Sequence, residues 1–337
     1  MRTLIAAVLA VLLLGLPQTA FAQRKSAFST PERIVGWMYA YRAKPQVWRV
    51  PAAVRAMKSH GLFTTQEKSS LFVGFIAGVL GDNPRGARTL VAKMFPMSHK
   101  EQAVIIRAIA YSGHPRWQDL LLDVSARMPE RKALIDKFLS GDEKTLMEMP
   151  LKANVDGLYV HWGYHLATGD HEPVQRVISA LEWCKDKGRR GLSWRRVKAV
   201  FTWSSEDDEV ANMTVCSTAK WTLASYAERD RALLKLYRGE LDRQPDKVVA
   251  ALEDVIQAAD TFESERIRKQ QLAAIEKARQ RALARDAQGS KAAAAGSIGI
   301  ATTCVIAGAT GHPEISVPCV IVGALYSGAV KMFRMSR

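Results

Sequence analysis

The sequence predicts an all-α fold, an α-solenoid of irregular helix-pair repeats ending in a long helix and an apolar hairpin. Three observations carry the prediction. Helix-start signals recur from Thr30 onward, apolar residues recur three and four apart, and only residues 188–205 lack that spacing. The composition agrees with a folded chain: 337 residues are 48% hydrophobic, which excludes a disordered polar chain, a collagen-like repeat and a disulfide-dense miniature domain. The formal charge of +15 points to an anionic neighbour without choosing among membrane, nucleic acid and acidic polymer.

In chain order, the first element is an address. Met1 and Arg2 precede an apolar run over residues 4–16, Pro17 ends it, and Ala20-Phe21-Ala22 has the small-x-small form of a cleavage site. Residues 1–22 are therefore expected to be a signal peptide. An uncleaved anchor helix would need roughly 20 apolar residues, more than this run supplies. Cleavage leaves an exported chain, periplasmic or secreted, with a charge of +14 by count. Export gives Cys184, Cys216, Cys304 and Cys319 a meaning, since an oxidising compartment favours disulfides over buried thiols. Four cysteines allow three connectivities, and proximity in sequence favours Cys184–Cys216 with Cys304–Cys319.

Residues 30–262 read as a helical repeat domain. Thr30-Pro31-Glu32 sets a cap before a proline at the first helical position, and Ser98-His99-Lys100-Glu101 is a capping box. Pro84, Pro115, Pro129, Pro173 and Pro245 each head an apolar-periodic segment. Four stretches share one punctuation, an apolar helix, a tight turn and a second helix: 72–94, 106–124, 162–181 and 221–236. A helix pair hides only one face by itself, so stacked neighbours complete the core. The third stretch, Trp162-Gly163-Tyr164 followed by Gly169 and Ala180-Leu181, resembles the tetratricopeptide class of helix-pair repeats. The later consensus proline of that class is missing and the spacing between units is irregular. What the resemblance implies is protein or peptide binding on a concave helical face, without catalysis.

Charge gathers in three places. An insertion over residues 184–209 has Trp183, Trp194 and Trp203 in and beside it, with seven bases and Asp186 between 185 and 198, and then turns acidic at Glu206-Asp207-Asp208-Glu209. Such a segment either grips an anionic chain through stacking and charge or packs on the body with its own counter-charges. Residues 263–291 form a basic helix that includes Arg266, Arg268, Lys269, Arg279, Arg281 and Arg285. Lys331 and Arg334 lie in a basic tail. These patches account for the charge, so the helical body is expected to be near neutral. These bases of the C-terminal region are the candidates for binding an anionic surface.

Residues 292–337 contain two uncharged arms, 292–310 and 315–330, around a turn at Gly311-His312-Pro313-Glu314. Three outcomes remain open for this hairpin: membrane insertion, surface association and packing on the body. The second arm is short for a span, and basic outer ends on the exported side oppose the positive-inside tendency.

No motif names a catalytic residue, a metal or a cofactor. Ser217-Thr218-Ala219-Lys220 matches the S-x-x-K pattern of serine enzymes, but its S-D-N and K-T-G partners are absent. His161 and His165 stand one helical turn apart, the spacing of two metal ligands, yet they flank Trp162 and Tyr164 at seam positions. The sequence thus predicts an exported interaction or scaffold protein that binds a protein or peptide and associates with a membrane surface through its C-terminal region. The competing expectations are an apolar hairpin that inserts into membrane from a helical scaffold, and an enzyme with a dispersed site. Nucleic acid is disfavoured, because export separates the chain from it.

Overall fold

The computed structural model describes residues 27–184 and 206–264, with individual positions from 266 to 280. Twelve α-helices occur among the described residues: α1 Pro31–Tyr41, α2 Val50–Ser59, α3 Gln66–Asp82, α4 Ala87–Met94, α5 His99–Ala110, α6 Trp117–Ser125, α7 Lys132–Ser140, α8 Val155–Thr168, α9 Glu172–Ser179, α10 Glu206–Arg229, α11 Arg231–Glu240 and α12 Asp246–Asp260. No strand is present among them. The all-α class is therefore as the periodicity predicts.

The capping chemistry sits where the sequence puts it. Thr30 accepts from the Arg33 amide at 3.4 Å ahead of Pro31. At α5 the Ser98 amide donates to Glu101 Oε2 at 2.7 Å, one half of a reciprocal capping box. Pro173 lies in the first turn of α9, and Pro245 caps α12. Thr30 and the Ser98–Glu101 box occupy amide groups that the helix itself leaves unpaired, while a proline at a helix start has no amide to satisfy. Gly169 ends α8 in the left-handed region at φ 77°, and its amide donates to the His165 carbonyl at 2.8 Å. A side chain there would be strained.

The helices lie in rows. Helices α7, α5, α3, α8, α10 and α12 each touch the next, and α6, α4, α2 and α1 form a second run of contacts. The most extensive seam is α3 against α8, two helices separated by residues 83–154. A one-dimensional stack of successive repeats would put its main contacts between sequence neighbours. The dominant seam here joins distant parts of the chain.

That seam explains the composition of α3. Residues 69–80 are buried on every side, so this helix is apolar all round rather than amphipathic. Gly74 and Gly78 let α8 approach at backbone distance, and Gly81 admits the Ser112 carbonyl that follows α5. A Cβ on Gly74 would stand 1.9 Å from the Val160 carbonyl oxygen, and one on Gly163 would stand 2.0 Å from that of Leu71. Around the seam, Trp162, Phe72, Phe75, Ile76 and Leu80 are fully buried, and each stabilises the fold by about 1.5–3 kcal/mol relative to exposure.

Cys184 and Cys216 are disulfide-bonded, with Cα atoms 5.1 Å apart. The bond ties the turn after α9 to the middle of α10. It selects one of the expected pairings. Cys304 and Cys319 lie outside the described residues, as do the expected signal peptide and the apolar hairpin. The acidic run 206–209, the end of the expected insertion, lies at the start of α10, where carboxylates favour the positive end of the helix dipole.

Candidate functional site

The residues singled out by sequence fall into separate places. His161 and His165 are both on α8 and both buried. His161 Nδ1 donates to the Gly157 carbonyl at 2.7 Å, while its Nε2 finds no hydrogen-bond partner among the described residues. Burial, the largest influence, pushes its pKa down to about 4, with the positive charge of Arg176 acting in the same sense. The ring is neutral and sealed in the seam.

His165 serves a different structure. Its Nδ1 donates to the Asp170 carbonyl at 2.7 Å, and its Nε2 accepts from Arg42 at 3.3 Å. Burial lowers its pKa as well. Arg42 also donates to Asp230 at 2.6 Å, and Asp230 in turn caps α11 through the Ala232 amide at 3.0 Å. Burial opposes the charge of Asp230, but the Arg42 and Ala232 hydrogen bonds hold its carboxyl below the usual range. The aliphatic stem of Arg42 lies against Gly169. One guanidinium therefore pins the ends of α1, α8 and α10 together. Sequence reasoning missed Arg42, because its partners lie more than a hundred residues away. Each histidine ring is committed to its own partners. No three His, Cys, Asp or Glu side chains converge as metal ligands among the described residues.

Ser217 and Lys220 lie on α10. The Ser217 hydroxyl donates to the Met213 carbonyl at 2.7 Å, inside its own helix. Lys220 is buried and its ammonium meets Asp254 Oδ2 at 2.5 Å. The lysine is thus held by a carboxylate on another helix and the serine hydroxyl by its own helix. The pair joins α10 to α12. Arg266 extends it, reaching Glu263 at 2.7 Å and Asp254 at 3.8 Å, so this predicted surface cation already faces two carboxylates. Lys269 is exposed. Arg268, Arg279, Arg281, Arg285, Lys331 and Arg334 fall outside the described side chains.

Among the described residues a shallow, open hollow of about 590 Å³ lies between α11 and α12. Leu241 and Ile256 form its apolar part, and Arg238, Glu253, Gln257 and Asp260 surround them. Asp260 is bridged by Arg238 at 2.5 Å and by Arg231 at 3.3 Å. Arg231 also lies 4.9 Å over the ring of Phe262, which is 66% exposed. No signal in the sequence marked this place, since Leu241 and Ile256 look like ordinary helix-stripe residues. An apolar strip with charges of both signs at its rim can seat a short amphipathic segment.

The described residues thus form an all-helical body with an open, charge-rimmed hollow. Compared with protein-family models, curated proteins and solved structures, the chain matches none of them.

Proposed function

We propose that this chain is an exported helical interaction protein that binds a protein or peptide segment. In this reading the helix pairs at residues 66–94, 99–125, 155–179 and 206–240 descend from a repeat of the solenoid kind. Their rows have since closed on each other through α3 and α8. The disulfide supports export, because such bonds persist in oxidising compartments. The basic residues beyond 263 would hold the protein near an anionic membrane. Among the described residues no helix is long and apolar enough to cross one.

The observation that carries the binding reading is the α11–α12 hollow, with apolar Leu241 and Ile256 set inside a rim of both charges. Its occupant would be an amphipathic peptide segment laid along the two helices. The test is to pan a displayed random-peptide library on the mature chain and to counter-screen the enriched clones on Ile256→Glu. The reading expects enrichment of amphipathic clones that bind the variant at least about tenfold more weakly, the effect of about 1.4 kcal/mol. Clones that bind both proteins equally, or no enrichment, would refute it.

A further inference from the structure

The near-neutral total of the helical body hides a strong polarity. Residues 42–100 hold ten Lys and Arg against two acids, whereas residues 206–264 hold thirteen acids against seven bases. The expectation of a uniformly ordinary body surface is therefore corrected. Among the described side chains, three of the ten cations reach a carboxylate: Arg42 to Asp230, Lys58 to Glu101 at 3.6 Å, and Arg88 to Asp123.

Part of the remaining charge lies on two neighbouring helices. Helices α2 and α4 lie side by side. Arg55 donates across the seam to the Lys93 carbonyl at 3.2 Å, and Lys58 donates to that of Pro96. The first bond fixes a cation in place without cancelling its charge, whereas Lys58 is also paired with Glu101. Arg55 and Lys93 are exposed. The positions 48, 52, 55 and 59 fall on one helical stripe. At the head of that stripe stands Trp48, 78% exposed, beside the guanidinium of Arg49 at 5.8 Å from its ring.

We propose that the α2–α4 face docks on an anionic lipid surface. Trp48 would enter the headgroup layer, with Arg49, Arg55 and Lys93 facing lipid phosphates. An indole suits that layer because its ring is apolar and its N–H is polar. Juxtaposed Lys and Arg add attraction to acidic lipids. A bilayer also accepts a protruding tryptophan without offering a fitted pocket, as a folded acidic protein would have to do. This inference shares the membrane setting of the proposed function but assigns it to a different part of the chain.

The test uses the full mature chain and sedimentation with vesicles of phosphatidylglycerol and phosphatidylcholine. The double variant Arg55→Gln/Lys93→Gln is compared with Arg268→Gln/Lys269→Gln, which changes the charge equally in the C-terminal region. Each cation near the surface contributes about fivefold, so the first pair should weaken binding about 25-fold and the second pair clearly less. Brominated lipid should quench wild-type fluorescence more than that of Trp48→Phe. Both variants must unfold at the wild-type temperature for the comparison to stand. Equal losses would show that binding follows net charge alone and would overturn the inference. A loss confined to Arg268/Lys269 would overturn it while sparing the C-terminal reading. Binding of neither kind of vesicle would overturn both, and quenching unchanged by Trp48→Phe would overturn the placement of this face.

Discussion

Replacing glycine by alanine should have opposite effects at two sets of helical positions. Gly36 in α1 and Gly239 in α11 have nothing within 4 Å of an added Cβ. There alanine gains helix propensity and restricts the unfolded chain, so each substitution should stabilise by about 0.4–1 kcal/mol. At Gly74 the same methyl would stand 1.9 Å from the Val160 carbonyl oxygen, and at Gly163 2.0 Å from that of Leu71. Those contacts are with backbone, which has no rotamer through which to escape. Restoring ordinary contact requires α3 and α8 to separate by roughly an ångström, which loosens a close-packed interior on both sides. Overpacking at this scale costs about 1–3 kcal/mol, occasionally more, and outweighs the propensity gain. Thermal unfolding followed by circular dichroism is the assay, with about 2–4 °C expected per kcal/mol for a large domain. Gly74→Ala and Gly163→Ala should lower the midpoint, while Gly36→Ala and Gly239→Ala should leave it unchanged or raise it. A rise at Gly74 or Gly163 would refute the backbone-contact seam and the placement of α3 against α8.

Two further outcomes follow from the core. The Cys184–Cys216 bond closes a loop with a sequence separation of 32, so Cys184→Ser/Cys216→Ser should lose about 3–4 kcal/mol on loop-entropy grounds. An unchanged denaturant midpoint would contradict this, and mass mapping of unreduced peptides should recover the two cysteines together. Acid should also weaken the fold through His161. The unfolded ring takes a proton below its ordinary value of 6.5 and the folded ring only below about 4. Between those values the unfolded state binds more protons, so stability falls as the pH drops, by up to about 3 kcal/mol in total. His165, lowered by burial as well, acts in the same direction. His161→Leu should flatten the slope of stability against pH between 6.5 and 4 by as much as one proton, and an identical slope would count against the buried neutral ring.

How much of this was legible in the sequence depended on range. Thr30, Ser98 with Glu101, Gly169 and Pro173 act within a few residues of themselves, and their roles are visible in any window that contains them. The glycines of α3 are visible too, but as punctuation. Their use as a close-approach surface depends on Val160 and Tyr164, about eighty residues on, and no local pattern names that partner. Arg42 escaped for the same reason, since His165 and Asp230 come to it only after three helix ends meet. The S-x-x-K match erred the other way. The spacing was real, but Asp254 on another helix takes the lysine and the Met213 carbonyl takes the serine hydroxyl.

Charge shows the limit most plainly, because summation discards position. Taken over the whole helical body, bases and acids nearly cancel, and that total led to an expectation of an ordinary surface. Coulomb forces fade over about 10 Å at ordinary ionic strength, so a partner at one face meets only that face. Ten cations between residues 42 and 100 are not neutralised by the acids of 206–264 unless the fold brings the two together. The fold does this at Arg42 and Asp230. It does not do so at Arg55, whose guanidinium donates to the Lys93 carbonyl, or at the exposed Lys93. A cation fixed by a neutral acceptor keeps its full charge and has already given up part of its rotamer entropy, so an anionic surface that meets it bears less of the ordering cost. The regional balance, read together with Trp48 at the head of the same stripe, is therefore a better guide to where this protein meets its surroundings than its net charge.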